Sequence, residues 1–196
     1  MTVRLETERL ILRPFAAADA AAVQGFCARG EIARMTTRIA HPYPEGAAAA
    51  WIAGHAGARD RGEEFVFAVT LRDDGRVIGA AGLHRTEIGN LELGYWLATE
   101  HWGRGLASEA AKAMVVYGFE TLRAEALNSG HFADNPASGR VLEKAGFSAN
   151  GVARQWSAAR QDFVDARRFL LTREAWQRAR RVADGPAGTR VGETAS

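Results

Sequence analysis

The chain has 196 residues, which is enough for one domain with a sizeable hydrophobic core. Its composition, 47% hydrophobic and 24% charged, is typical of a globular protein, and a net charge of +2 without a run of like charges argues against a nucleic-acid-binding surface. Because Cys27 is the only cysteine and no stretch approaches the roughly 20 apolar residues of a membrane span, the sequence also argues against a disulfide-stabilised domain and a membrane protein.

The first part of the chain predicts a strand, a helix, a loop-rich connection and a second helix, over residues 3–13, 16–28, 31–44 and 45–59. Pro14 ends the strand, because proline cannot continue its hydrogen bonding. Cys27 falls near the end of the first helix, and we expect it to be a small buried residue rather than a nucleophile.

The middle of the chain predicts three strands joined by short links, over residues 65–71, 76–83 and 91–97. Asp73-Asp74-Gly75 is a hairpin signal between the first two, so we expect an antiparallel meander. A helix over 104–121 follows, because apolar residues recur there every four positions, and a short strand over 123–128 comes next.

The last part of the chain predicts a helix that Asn135 caps and Pro136 opens, ended by Gly146. Two strands and a final helix are predicted after it, over 147–154, 163–171 and 172–181. We expect one domain over residues 1–181 and a flexible tail over 182–196, where Gly, Pro, Thr and Ser predominate.

A glycine-rich turn lies between the third strand of the meander and the long helix, with the sequence Trp102-Gly103-Arg104-Gly105-Leu106-Ala107-Ser108. Glycines allow positive φ and close approach of a ligand to the backbone. The helix N-terminus adds unpaired N–H groups and the positive end of its dipole. The turn therefore predicts a phosphate-binding site, and the alternative is a turn that only packs a helix on a sheet.

Two common phosphate-binding motifs fit this turn less well. A P-loop needs Gly-Lys-Ser/Thr at the start of the helix, and the chain has none there. Gly103-x-Gly105-x-x-Ser108 nearly matches the dinucleotide fingerprint, but it follows an antiparallel meander instead of the parallel crossovers of that fold.

Further motifs occur around the turn in a fixed order: Leu5-Glu6-Thr7-Glu8-Arg9-Leu10, Gly94-Tyr95-Trp96-Leu97, Asn135-Pro136-Ala137-Ser138, Leu142-Glu143-Lys144-Ala145-Gly146-Phe147 and Leu171-Thr172-Arg173-Glu174-Ala175-Trp176. Together they resemble the GNAT superfamily of acetyl-CoA-dependent N-acetyltransferases, and in particular the branch that acetylates ribosomal-protein N-termini. The pyrophosphate loop of the family has the consensus pattern Gln/Arg-x-x-Gly-x-Gly/Ala. Residues 102–107 match every position of this pattern but the first, which is Trp102.

The resemblance implies a single α/β domain with a mixed, mostly antiparallel sheet of about seven strands flanked by helices. The sheet would splay between the family's fourth and fifth strands, here 91–97 and 123–128, and admit the pantetheine arm of acetyl-CoA. The backbone of Tyr95, Trp96 and Leu97 would pair with that arm. The N–H groups of residues 103–108 would bind the pyrophosphate whatever side chain stands at position 102.

The reaction implied by the resemblance is direct attack of a neutral amine on the thioester, so a base must remove a proton. Glu92 is the candidate, acting directly or through a water, because it lies three residues before Tyr95 on the same strand. A carboxylate buried in an otherwise apolar strand holds its proton more tightly, which suits a base near neutrality. The alternative is a solvent-facing glutamate at an alternating position, while His84 and His101 are expected to be solvated histidines.

The departing thiolate needs a hydrogen-bond donor. Many family members have a tyrosine where this chain has Leu142, which cannot donate a proton. The resemblance implies that Ser138 donates to the sulfur; the alternative is a serine that bonds to its own helix backbone. Asn135 would both cap the helix and lie near the pantetheine.

The sequence thus predicts an N-acetyltransferase that acts on a primary amine, either a protein N-terminus or a small molecule. The alternative is a non-catalytic acyl-CoA-binding regulatory module, to which Leu142 lends weight. We expect residues 31–59 to flank the acceptor. We expect no metal site, because no cluster of His, Cys, Asp or Glu has the spacing of metal ligands. We also expect no nucleic-acid or membrane partner. A start without a secretory signal favours a cytoplasmic protein, and a homodimer stays open.

Overall fold

The computed structural model describes residues 3–183, which form one eight-stranded sheet in the order β1-β2-β3-β4-β5-β6-β8-β7. The strands are β1 Leu5–Glu6, β2 Leu10–Arg13, β3 Glu64–Leu71, β4 Val77–Arg85, β5 Leu91–Leu97, β6 Ala126–Phe132, β7 Ser148–Ser157 and β8 Asp162–Thr172. The helices are α1 Ala20–Cys27, α2 Glu31–Arg34, α3 Ala47–Asp60, α4 Leu106–Val116, α5 Pro136–Lys144 and α6 Arg173–Ala183.

All neighbouring strands are antiparallel except β5 and β6, which are parallel. These two strands pair at only two positions, Leu91 with Leu127 and Glu92 with Asn128. Beyond Glu92 they diverge, so the predicted splay between residues 91–97 and the next strand is confirmed. The sheet has eight strands because the first predicted strand is a hairpin of β1 and β2, closed by Thr7 N–H donating to the Leu10 carbonyl at 3.0 Å.

Several predicted element boundaries were wrong, and backbone conformation explains two of them. The helix predicted from residue 104 begins at Leu106, because Gly105 has φ of 78° and cannot lie inside a right-handed helix. The strand predicted from residue 123 begins at Ala126, because Arg123 has φ of 57°. The connection over 31–44 contains α2, and α4 passes into a π-helical turn over Tyr117–Thr121.

The sheet has one hydrophobic core on each face. On one face the larger core includes Phe67, Leu83, Met114, Phe119 and Leu127, with α4 packed across the strands. On the other face a smaller core is formed by α1 and α3, with Trp96 packed against Val23, Cys27, Ala48 and Ile52. Because side chains alternate along a strand, β5 presents its odd-numbered residues to α4 and its even-numbered residues to α1 and α3.

The described chain ends within α6 at Ala183, two residues beyond the predicted end of the domain. The flexible tail predicted from residue 182 therefore falls almost entirely outside the described residues and stays a prediction. Within residues 3–183, no helix combines the length and hydrophobicity that crossing a membrane requires.

Candidate functional site

The glycine-rich turn joins β5 to α4 and is exposed from Trp102 to Gly105. Gly103 and Gly105 have φ of 72° and 78°, so both adopt the left-handed conformation that the sequence predicted for glycine. Gly105 is the N-cap residue of α4 and supplies no capping side chain. The six N–H groups of residues 103–108 have no hydrogen-bond partner among the described residues. They form a cluster of donors at a helix N-terminus, an arrangement that binds phosphate groups.

Arg9 fastens the N-terminal hairpin to this turn. Its guanidinium donates to the Arg104 carbonyl at 3.0 Å and pairs with Glu109, in the first turns of α4, at 2.7 Å. The Arg9 N–H and the Thr7 hydroxyl donate to the same carboxylate at 2.7 and 2.6 Å. Burial alone would raise the pKa of Glu109, but these hydrogen bonds and the charge of Arg9 lower it overall. The negative charge of Glu109 is thus compensated beside the donor cluster.

Trp102 makes a side-chain contact of its own. Its indole Nε1–H donates to the Leu97 carbonyl at 2.7 Å, across the turn that follows β5. The side chain is about half exposed, at 47%. The position at which this chain departs from the family pattern therefore holds the turn against the end of β5.

A cleft opens beside β5 where its pairing with β6 ends. The buried Ser129 hydroxyl of β6 donates to the Leu93 carbonyl at 2.9 Å, at the start of the cleft. Trp96 directs its carbonyl toward β4, since a Cβ at Gly79 would lie 2.2 Å from that oxygen. By strand alternation, Leu93, Tyr95 and Leu97 direct their backbone polar groups to the opposite side, into the cleft.

Tyr95 and Ser138 bridge the cleft. The Tyr95 hydroxyl lies 2.8 Å from Ser138 Oγ and donates to the Ser138 carbonyl at 3.1 Å. Asn135 caps α5, because its side-chain oxygen accepts from the Ser138 N–H at 3.2 Å. Burial raises the pKa of Tyr95, which keeps the phenol protonated. Leu142, at the position where many family members have a tyrosine, is fully buried in the larger core. Among the described residues, the only tyrosine hydroxyl that contacts Ser138 is that of Tyr95.

Glu92 lies on the opposite face of the sheet, toward α1 and α3. Its carboxylate accepts from Arg168 of β8 at 2.6 Å, and its side chain is 16% exposed. The guanidinium crosses β6 at Gly130, where a Cβ would lie 3.0 Å from Arg168 Nη1. Glu92 is therefore neither the isolated carboxylate nor the freely solvated one that the sequence alternatives described, but a partly buried member of an ion pair.

His84 lies on β4, opposite Glu92 of β5 on one side and Glu64 of β3 on the other. It was predicted to be a solvated histidine, but burial and the nearby Arg38 lower its pKa, and Glu92 only partly offsets this. His101 lies in the turn after β5, where burial likewise lowers its pKa. Burial therefore favours the neutral form of both imidazoles.

Between Glu92 and Trp96, the same face of β5 carries Gly94. A Cβ at Gly94 would meet nothing within 4 Å, so the surface is open there. Gly94 lies opposite Gly82 in β4, where a Cβ would lie 3.2 Å from Val66 Cγ2, so the open surface is confined to Gly94. The exposed Gly94 thus leaves open space beside Glu92 on this face. Among residues 3–183, no cluster of His, Cys, Asp and Glu is arranged to hold a metal ion.

Sequence reasoning missed three contributions to this site. It used Tyr95 only for its backbone, gave Arg168 no role, and gave Arg9 none although Arg9 lies within a matched motif. The motif around Arg9 was a usable signal. Arg168 left no signal, because its pairing with Glu92 depends on the order of β5, β6 and β8 in the sheet.

Comparison with known proteins gives three findings. The family described as acetyltransferase (GNAT) domain matches residues 9–148. The uncharacterized N-acetyltransferase YoaA of Bacillus subtilis is 33% identical over 154 residues, which are 78% of this chain and 86% of that protein. The [ribosomal protein uS5]-alanine N-acetyltransferase of Escherichia coli is 26% identical, over 89% of this chain and 93% of that protein.

Among solved structures, a ribosomal L7/L12 alpha-N-protein acetyltransferase in complex with coenzyme A superposes with a TM-score of 0.77. The superposition covers 88% of this chain and 99% of that one, at 16% identity. At this identity the likeness shows a shared fold.

Proposed function

The chain belongs to the GNAT acetyltransferase family, and on that premise we propose that it binds acetyl-CoA in the cleft beside β5 and transfers the acetyl group to a primary amine. The observation that carries the proposal is the set of six N–H groups at residues 103–108 that have no partner in the described chain and that follow the unpaired end of β5. One end of this arrangement suits a pyrophosphate, and the other suits an extended arm with amide groups.

The donor is bound mainly by backbone groups. The N–H groups of Gly103, Arg104, Gly105, Leu106, Ala107 and Ser108 bind the pyrophosphate, assisted by the α4 dipole. Tyr95 offers its backbone N–H and carbonyl to the pantetheine arm, because β6 no longer pairs with β5 there. Trp96, Leu97, Trp102 and Asn135 line this path. Acetyl-CoA supplies the activated thioester, and the chain supplies orientation and proton transfer.

The acceptor amine approaches from the face that carries Glu92 and Gly94. Glu92 attracts the ammonium form and accepts its proton, directly or through a water. Arg168 donates to the Glu92 carboxylate at 2.6 Å and so holds its oxygens in one orientation while the amine enters. The open space over Gly94 leaves room for the amine beside the thioester.

The leaving thiolate is stabilised from the other side of the cleft. Ser138 donates its one hydroxyl hydrogen to the sulfur, and the Tyr95 hydroxyl, 2.8 Å from Ser138 Oγ, then turns from the Ser138 carbonyl and donates to Oγ. Asn135 holds the Ser138 backbone through the helix cap. Ser138 thus acts on the sulfur while Tyr95 acts through Ser138, and Leu142 needs no acidic role.

The acceptor class that we propose is a protein N-terminus, with a small primary amine as the second candidate. The likeness to the Escherichia coli [ribosomal protein uS5]-alanine N-acetyltransferase supports the first, because it extends over 89% of this chain. The open face around Gly94 supports both, since it is bounded by an ion pair and not by an enclosed pocket.

The decisive experiment measures free-thiol release from acetyl-CoA in the presence of short peptides with N-terminal alanine or serine, and of a panel of small amines. Turnover on a peptide supports a protein acceptor, and turnover on small amines alone supports the second class. Calorimetry of coenzyme A binding runs in parallel. Binding without turnover on any amine would favour the non-catalytic module, whereas no binding would contradict both proposals.

A further inference from the structure

Along the cleft edge of β5, two side chains donate hydrogen bonds to the backbone carbonyls on either side of Tyr95. Ser129 donates to the Leu93 carbonyl at 2.9 Å from one side of the cleft. Trp102 donates to the Leu97 carbonyl at 2.7 Å from the turn at the other end. The backbone of Tyr95 lies between them, beyond the last position at which β6 pairs with β5.

The spacing of these carbonyls makes the two contacts consequential. Carbonyls on one edge of a strand recur every second residue, about 6.7 Å apart. An extended arm with amide groups can pair with such an edge in several registers, each shifted by one repeat, just as a neighbouring strand can. Because each flanking carbonyl already accepts from a side chain, the Tyr95 carbonyl is the one on this stretch that is left free for such an arm.

We infer that Ser129 and Trp102 are positioning residues that set the register of the pantetheine arm on β5, an inference that rests on the proposed function. A slip of one repeat would carry the thioester about 6.7 Å from the groups that act on it. Reacting groups must lie within a fraction of an ångström of their productive geometry. A slipped complex is therefore bound but inactive.

Non-productive binding has a kinetic signature that distinguishes it from a loosened site. Trp102→Phe keeps an aromatic ring but frees the Leu97 carbonyl, and Ser129→Ala frees the Leu93 carbonyl. In each variant, kcat and the KM for acetyl-CoA should fall by the same factor, so that kcat/KM is unchanged. If the arm binds in the newly available register as tightly as in the native one, both constants fall about twofold. Tighter binding in the new register lowers both constants further.

Binding provides a readout that does not depend on turnover. The Kd of coenzyme A, measured by calorimetry, should be equal to or lower than that of the unmodified chain, because a second register adds bound states. Trp102→Gln retains an N–H donor and Ser129→Thr retains the hydroxyl. Both should restore kcat and KM, and melting temperatures report whether each variant is folded.

Other outcomes overturn the inference. A KM or Kd that rises in Trp102→Phe, or a kcat that stays unchanged in both variants, would mean that the two contacts only brace the turn and the strand. Failure of the unmodified chain to bind coenzyme A would instead overturn the proposed function, so the two failures are distinguishable. Trp102 lies on the surface, which makes its variant informative even if Ser129→Ala does not fold.

Discussion

At the scale of single residues, the ion pair of Glu92 with Arg168 defines the acceptor face. The pair joins β5 to β8 across the strand between them, and Gly130 makes this possible because a side chain there would collide with the guanidinium. Arg168 also contacts Gln155 at 3.4 Å, which limits its freedom to leave Glu92. The position of the Glu92 carboxylate therefore depends on Arg168.

Replacing Glu92 by Gln should lower kcat by about 10²- to 10⁴-fold, the usual contribution of a general base. The KM for acetyl-CoA should change little, because the donor binds on the other side of β5. Steady-state kinetics with the best amine provide the measurement. Glu64→Gln is the matched control, since Glu64 also faces α3 and pairs with an arginine, Arg38, at 2.8 Å. Equal effects of the two substitutions would contradict the role of Glu92.

Cys27 illustrates a buried residue with a pH consequence. Burial raises the pKa of its thiol to about 11, partly offset by the neighbouring Tyr43 hydroxyl. An unfolded chain ionises its cysteine near pH 9, so ionisation above that value favours unfolding. The stability contribution is complete below about pH 9 and is lost as the pH rises toward 11.

We therefore expect the melting temperature to fall between pH 9 and 11, and Cys27→Ala to flatten that fall. Thermal unfolding at intervals of half a pH unit provides the comparison. The native thiol should also resist alkylation at pH 7.5 until the chain unfolds. Rapid alkylation of the folded protein would show that the thiol is accessible, contrary to its 1% exposure.

At the scale of elements, the turn before α4 depends on two left-handed glycines. Gly105→Ala should raise the Kd of coenzyme A at least tenfold, because an alanine at φ of 78° carries a strain of about 1–2 kcal/mol and shifts the N–H groups. Gly89→Ala is a suitable control, with φ of 84° and open space around its Cβ. It should cost similar stability while leaving the Kd unchanged. A Kd that is unaltered in Gly105→Ala would argue against the phosphate site.

Local signals allowed the elements to be predicted, whereas the contacts between them could not be. The sequence located the N-cap at Asn135 and the turn at Gly105, because each depends on a few adjacent residues. The contact of Tyr95 with Ser138 spans 43 positions, and that of Glu92 with Arg168 spans 76. Such pairs depend on strand order and register, which no short pattern contains.

At the scale of the whole molecule, the sheet consists of two parts that meet at the cleft. One part contains β1 to β5 and the other contains β6, β8 and β7. Between them the sheet has only two paired positions, supplemented by the contacts of Ser129 with Leu93, of Tyr95 with Ser138 and of Arg168 with Glu92. A ligand that contacts both sides of the cleft should therefore stabilise the assembled molecule.

Coenzyme A at 100 times its Kd should stabilise the native state by about 2.7 kcal/mol, provided that it does not bind the unfolded chain. For a chain of this size the expected rise in melting temperature is about 5–10 °C. Differential scanning calorimetry measures it directly. NADH at the same concentration should leave the melting temperature unchanged; a comparable rise would revive the dinucleotide-binding alternative.

The short ladder between β5 and β6 also has a consequence for the order of folding. Strands β3, β4 and β5 pair as successive hairpins, as do β7 and β8, while β6 joins β5 after the crossover through α4 and at only two positions. Contacts that close late contribute little to the transition state. Ser129→Ala should therefore accelerate unfolding and leave the refolding rate nearly unchanged in a stopped-flow chevron. The cleft that receives the substrate would then close late in folding.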